Sequence, residues 1–184
     1  QEINNININN VVHWEKNIYA FDSQENKIFK INLNNREVIT INSNLTDIGL
    51  FKIARNIDEK ILIYHDNHGF VQINNNNLSP ILANLQNNGK LADFAYYNNR
   101  LYTLDIANNQ IFRHSQNENG YSTGLAWIKD NTDITNTNSI GIDVSIWLLN
   151  NQGQIIKMTK GQKQNFTIKN LEPKLEKPIK LFTD

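Results

Sequence analysis

The residues best suited to metal chemistry in this chain include two histidines. His65 and His68 stand three residues apart in the segment HDNHG, a spacing that can bring two imidazoles to one ion on a turn. No third ligand stands beside them, and protein metal sites use three or four ligands. A polar hairpin loop, with Gly69 supplying a positive backbone angle, is therefore the favoured interpretation, and both histidines remain metal candidates.

Three carboxylates form the second set of metal candidates. Glu15, Asp93 and Asp143 lie in or beside the predicted first strands of the first, third and fourth sequence repeats. Carboxylate oxygens suit calcium, so calcium is the cofactor that this set would hold. Acidic residues at such positions are more often solvated or cap a turn. The chain has no phosphate-binding glycine loop and no nucleophile elbow, and no catalytic residue is assigned.

Exposed aromatic residues could serve binding instead of catalysis. Trp14 and the pair Tyr96 and Tyr97 lie in predicted first strands. Successive side chains of a strand point to opposite faces, so one of the two tyrosines must face outward. These three residues are the surface-binding candidates.

Charge and composition exclude several classes of function. The chain has 18 basic and 18 acidic residues, so its formal net charge is zero and long-range attraction to nucleic acid is not expected. Cysteine is absent, which excludes thiolate metal sites and a cysteine nucleophile. No run of about 18 apolar residues exists, so we expect no membrane insertion by this segment. Its compartment is left open.

The strands that must position these residues are predicted from a sequence motif that recurs four times. Each copy is an alternating apolar run, a turn of Asn, Asp or Gly, and a second alternating run. Taking Tyr19, Leu62, Tyr102 and Trp147 as equivalent, the copies are 43, 40 and 45 residues apart. A repeat of about 40–45 residues built from short strands is typical of β-propeller blades.

The repeat predicts an all-β fold, a β-propeller with about four four-stranded blades in a single segment, 1–184. We expect this segment to be part of a larger, six-bladed ring; closure of four blades is the alternative. The expected blades cover approximately 11–45, 48–85, 90–130 and 134–171, and a further blade starts at 177–184. Their fourth strands are predicted at Glu37–Asn42, Ser79–Ala83, Tyr121–Lys129 and Asn165–Lys169. Turn caps are expected where the second strands end, at Asp22, Asp66, Asp105 and Asn150.

The last 45 residues resemble a known pattern. The phrase SIWLLNNQGQIIKMTKG, followed by NFTIKNLEP and PIKLFTD, resembles blades of NHL-like or lactonase-like six-bladed propellers. It is especially similar to the C-terminal propeller of uncharacterised, membrane-anchored bacterial proteins. Val144 departs from the pattern, which prefers glycine there. The resemblance implies the fold and a membrane-anchored parent chain, and in lactonase-like members a calcium ion in the central channel. It supplies no catalytic residue.

Two functions from different classes follow. The favoured one is a non-enzymatic binding or scaffold module that contacts a protein partner through its loops, because stacked blades give a rigid support for variable loops. The alternative is a lactonase-like hydrolase with a metal in the central channel. A third reading is a piece that is stable only within its parent chain.

Overall fold

Alternating apolar residues and asparagine-rich turns fold into four antiparallel sheets of short strands. The computed structural model describes residues 7–22, 24–42, 51–57, 60–65, 67–74, 76–85, 91–169, 172 and 175–183. The chain divides into two compact units, Gln1–Leu82 and Ala83–Asp184. In the described parts of both units, no helix has the length and apolar character needed to cross a membrane.

The first unit contains two sheets whose strands pair in chain order, so each described neighbour is an antiparallel partner. Blade 1 consists of β1 (Ile8–Trp14), β2 (Asn17–Asp22), β3 (Lys27–Asn32) and β4 (Val38–Asn42). Blade 2 consists of β5 (Phe51–Ile57), β6 (Lys60–His65), β7 (Gly69–Asn74) and β8 (Asn77–Pro80). The first strands β1 and β5 lie side by side. Apolar side chains from both sheets form one core, including Tyr19, Phe21, Ile28, Ile61, Ile63 and Val71.

The second unit repeats this plan. Blade 3 consists of β10 (Leu91–Tyr97), β11 (Arg100–Asp105), β12 (Gln110–Asn117) and β13 (Gly120–Tyr121), and the short strand β14 (Leu125–Ala126) lies beside β12. The short strand β9 (Leu82–Ala83) precedes blade 3 in the chain, at the boundary between the two units. Blade 4 consists of β15 (Thr137–Ile142), β16 (Ile146–Asn150), β17 (Ile155–Thr159) and β18 (Gln162–Lys163). The first strands β10 and β15 lie side by side. The core between the sheets includes Tyr102, Leu104, Ile111, Ile140, Leu148 and Met158.

Each second strand ends in a side chain that caps the following turn. The oxygens of Asp22, Asp105 and Asn150 accept hydrogen bonds from backbone N–H groups two to four residues later, at 2.8–3.1 Å. In blade 2 the cap is His65, whose Nδ1 accepts from the backbone N–H of Asn67 at 3.2 Å. Asp66, where the cap of blade 2 is predicted, lies outside the described residues. The residue equivalent to Asp22 and Asp105 is His65, one position earlier.

Two of the predicted fourth strands are wrong. The continuous strand expected at Tyr121–Lys129 is instead two short pieces, β13 and β14, separated at Gly124, where a Cβ would contact the side chains of Phe112 and His114 at 2.7 Å. The strand expected at Asn165–Lys169 is replaced by β18, which pairs with β17 directly after a tight turn.

A register shift recurs near the start of every first strand. It falls between Ile8 and Asn10, Phe51 and Ile53, Leu91 and Asp93, and Thr137 and Ser139. Such an irregularity changes the direction in which a side chain points. In the second unit the register shifts come directly before Asp93 of β10 and Ser139 of β15. These two side chains form a hydrogen bond between the adjacent first strands.

Candidate functional site

A cation faces an aromatic ring across the middle two strands in three of the four blades. The register pairs Tyr19 with Lys30, Tyr102 with Arg113, and Trp147 with Lys157. The Lys30 and Lys157 ammonium nitrogens lie 6.0 and 4.8 Å from their ring centroids. Blade 2 has Leu62 and Gln72 at these positions. In blades 1 and 3 the pair lines a groove between that blade and the next.

The groove of unit 1 has a volume of about 400 Å³. Trp14 and Tyr19 form its aromatic side, with ring centroids 6.3 Å apart. Burial, and secondarily the Glu15 carboxylate, raises the pKa of the Tyr19 phenol above its ordinary value, so the hydroxyl stays protonated at neutral pH. The Lys30 ammonium donates to the Asn76 side-chain oxygen at 3.3 Å.

The groove of unit 2 is built from the equivalent positions of blades 3 and 4. Its volume is about 390 Å³. Its aromatic lining residues are Tyr97, Tyr102 and Trp127, and its cations are Arg113, Lys129 and Lys160. Asp143, Val144 and Ser145 also belong to the lining. Tyr97 is 39% exposed, whereas Tyr102 is buried. This mixture of aromatic and cationic side chains makes the groove a candidate binding site.

Asp143 closes the turn that forms one wall of this groove. Its Oδ1 accepts from the Ser145 backbone N–H at 2.6 Å, and its Oδ2 accepts from Trp147 Nε1 at 3.1 Å. The first of these hydrogen bonds is the main reason why the pKa of the Asp143 carboxyl lies below its ordinary value, and Trp147 adds to the effect. The carboxylate therefore closes the turn at Val144 without glycine.

A glycine turn fixes the opposite wall. Gly161 has φ +87°, and a Cβ there would collide with the carbonyl oxygen of Trp127. The Lys129 N–H donates to the Gly161 oxygen at 2.8 Å. On the other side, Gln110 Oε1 accepts from the Ile128 N–H at 2.7 Å. The segment from Trp127 to Lys129 is thus held between blades 3 and 4.

Asp93, a predicted metal candidate, is a buried carboxylate with several donors. Its Oδ1 accepts from the Phe94 N–H at 2.9 Å, and its Oδ2 accepts from Ser139 Oγ at 2.9 Å and from the Ile140 N–H at 3.1 Å. The Lys180 ammonium lies 3.6 Å from Oδ1. The carboxylate charge is therefore compensated within unit 2.

Asp93 and Asp143 do not fit a shared calcium ion. Asp93 contacts Ser139 near the start of β15, whereas Asp143 follows the end of that strand, about 13 Å further at the usual rise per residue. Glu15 lies in unit 1, in the turn after β1, and lines the groove there. Among the residues that the structure describes, no group of three or more His, Asp or Glu side chains could hold a metal ion.

His65 and His68 lie together, with ring centroids 4.8 Å apart. Because His65 Nδ1 accepts a backbone hydrogen bond, the proton of the neutral ring is on Nε2. A ring nitrogen that carries a proton cannot bind a metal, so the geometry supports the role of His65 as a turn cap.

The surface-binding candidates are divided between the two grooves and a third position. Trp14 lines the groove of unit 1 and Tyr97 that of unit 2. The Tyr96 hydroxyl points elsewhere, 3.2 Å from the Gln116 side-chain oxygen. Sequence reasoning missed Arg113, Lys129 and Lys160. Arg113 could have been found, because a cation follows the same apolar pair in IFK and IFR of the first and third copies.

Comparisons with known proteins show the fold. No family model and no curated protein matches the chain. Among solved structures, PorZ, an essential surface component of the type-IX secretion system of Porphyromonas gingivalis, has a TM-score of 0.60 and 14% identity over 85% of this chain and 22% of its own. Virginiamycin B lyase from Staphylococcus aureus has a TM-score of 0.59 and 15% identity over 87% and 55%.

A computationally designed protein, Ika4, is similar at a TM-score of 0.58 and 9% identity, over 87% of this chain and 95% of its own. At these identities the likeness defines the fold alone. The protein is therefore an all-β protein with the β-propeller fold, and the prediction of four four-stranded antiparallel blades is confirmed. The chain spans about a fifth of the length of PorZ and about half that of the lyase.

Proposed function

We propose that this protein is a non-enzymatic binding or scaffold module, which contacts a protein partner through its loops. The observation that supports this most strongly is the repeated groove. In each unit a second-strand tyrosine and a third-strand cation line a recess bounded by the next blade. Aromatic residues and arginine are enriched in protein interfaces and supply much of their binding energy.

The turn residues beside the groove of unit 2 suit them for contact with a partner. Val144 is 89% exposed at the turn that Asp143 closes. An apolar side chain this exposed, on a turn held by hydrogen bonds, can be buried by a partner with little loss of conformational entropy. The neighbouring Lys129 and Lys160 are also exposed.

We also propose the NHL-like or lactonase-like six-bladed type, with the blades described here as part of a larger ring. The resemblance over 140–184 supports this. So does the position of residues 178–183: the Leu181 N–H donates to Ser139 Oγ at 3.0 Å, and the Thr183 hydroxyl donates to the Ile142 oxygen at 3.0 Å. Residues 178–183 therefore lie beside β15 in much the same way that β15 lies beside β10.

The hydrolase alternative comes second. It needs carboxylate oxygens that are free to bind a metal, but Asp93 and Asp143 each accept at least two hydrogen bonds from their own unit. No residue of the described chain is assigned a catalytic role here.

Site-specific photo-cross-linking tests the binding function. A benzophenone amino acid at Val144, in the organism that produces the protein, is expected to yield one discrete adduct with a partner protein. The matched control carries the same group at Asn151, which is exposed in the turn at the opposite end of β16. Adducts from both positions, or from neither, would contradict the proposal.

A further inference from the structure

The groove of unit 2 carries an excess of positive charge. Arg113, Lys129 and Lys160 line it, and Asp143 is the only acidic residue among its lining residues. Asp143 directs its two oxygens toward Ser145 and Trp147. Within the described part of the chain, none of the three cations is within ion-pair distance of a carboxylate. The excess of two charges is therefore available to a ligand.

The same groove presents flat apolar surface beside these charges. Tyr97 and Trp127 provide two accessible rings, and the buried Tyr102 is a third aromatic residue of the lining. The backbone of Trp127 is fixed by a hydrogen bond from its N–H to the Ile111 oxygen at 2.8 Å, and Lys129 is fixed by its bond to Gly161. A preorganised site loses less conformational entropy on binding than a mobile one.

The geometry points to an acidic peptide segment of a partner as the occupant of this groove. This inference rests on the proposed function and specifies the partner's chemistry. A glutamate or aspartate side chain would be bound by the Arg113 guanidinium, whose planar fork matches a carboxylate. A neighbouring aromatic side chain of the peptide would pack on Tyr97 or Trp127.

The groove of unit 1 provides an internal comparison. It holds two cations, Lys30 and Lys60, and one carboxylate, Glu15, so its excess is a single charge. Lys30 already donates to Asn76 and lies over the Tyr19 ring. We therefore assign the acidic ligand to unit 2. The matched control for Arg113 is Arg36, which is exposed between β3 and β4 and lines neither groove.

Calorimetric titration with two synthetic peptides tests this inference. One peptide alternates glutamate and tyrosine, and its analogue has glutamine in place of each glutamate. We expect the acidic peptide to bind more tightly, and Arg113→Gln to weaken it about tenfold, as for loss of one charge-assisted hydrogen bond. Lys129→Gln, at an exposed position, should weaken binding less, and Arg36→Gln should leave it unchanged. Raising the ionic strength should reduce the affinity.

The outcomes separate this inference from the function on which it rests. Equal binding of both peptides, or equal effects of Arg113→Gln and Arg36→Gln, would overturn the acidic specificity while leaving a peptide-binding module in place. Failure of both peptides to bind, with the Val144 adduct still formed, would also overturn only the acidic specificity. Failure of both peptides together with loss of that adduct would overturn both. Cooperative urea unfolding of each variant confirms that the comparison is made on folded protein.

Discussion

Replacing Asp93 with alanine tests the interpretation of this residue as a structural hydrogen-bond acceptor. Asp93 is 1% exposed, and its carboxylate accepts hydrogen bonds from Phe94, Ser139 and Ile140. Hydrogen bonds to a charged group contribute about 1.5–3 kcal/mol each, and a buried donor left without its acceptor costs about 1–3 kcal/mol. These contributions are not additive, so we expect Asp93→Ala to lower the free energy of unfolding by about 4 kcal/mol.

Two further variants separate the contributions. Asp93→Asn keeps one oxygen acceptor, so it should cost roughly half as much as alanine. Lys180→Met removes the ammonium 3.6 Å from the carboxylate and leaves the three other donors in place, so its cost should be about 1 kcal/mol. Glu118→Ala, at an exposed turn position, is the control and should change nothing measurable.

Urea unfolding followed by tryptophan fluorescence measures these differences, because Trp127 and Trp147 both lie in unit 2 with Asp93. For a chain of this length, about 4 kcal/mol corresponds to a decrease in Tm of roughly 8–16 °C. An alanine variant that loses less than about 1 kcal/mol would refute the network as described. A second result would also refute it: millimolar calcium raises the Tm of the wild-type protein but not that of Asp93→Ala. That result would show that Asp93 binds a metal.

Two other predictions concern unit 2. Buried His114 donates from Nδ1 to the Ser122 oxygen at 2.9 Å, and burial lowers the pKa of its imidazole. Because the unfolded chain binds the proton more readily than the folded chain, the free energy of unfolding should fall as the pH falls below about 6.5. Urea midpoints measured across pH should show a smaller fall in His114→Gln. Gly161→Ala should lower Tm more than Gly69→Ala: both glycines have positive φ, but a Cβ at Gly161 meets the Trp127 oxygen whereas one at Gly69 meets nothing within 4 Å. Equal losses of Tm would show that the Trp127 segment moves freely.

The hairpins of this fold were predictable because their information is local. Alternating apolar residues define the second and third strands, and the cap at the end of the second strand is written in the same few residues, as at Asp22 and Asp105. The fourth strands of blades 3 and 4 were not, because they depend on packing from elsewhere. Gly124 divides the expected strand of blade 3 where His114 and Phe112 crowd it, and nothing near Gly124 in the sequence shows this.

The candidate sites also depend on residues that are distant from one another in the sequence. The sequence marks Asp93 as an acidic residue in a first strand, but Ser139 and Lys180, which compensate its charge, are in other parts of the chain. From the sequence alone Asp93 is therefore a metal candidate or a solvated or turn-capping carboxylate, because its partners are not visible there. The groove of unit 2 likewise combines Arg113 from blade 3 with Lys160 from blade 4, and only the packing of the two blades brings them together.

Blade 2 shows that the aromatic and cationic pair is not needed to build a blade. It has Leu62 and Gln72 in that place, and yet its four strands pair as in the other blades. Leu62 is 2% exposed, so an aliphatic residue fills the same interior position. Folding alone therefore does not require Tyr102 and Arg113 in blade 3. A ring and a charge at the wall of an open groove suit the recognition of another molecule, and this is why we propose a binding role for this pair.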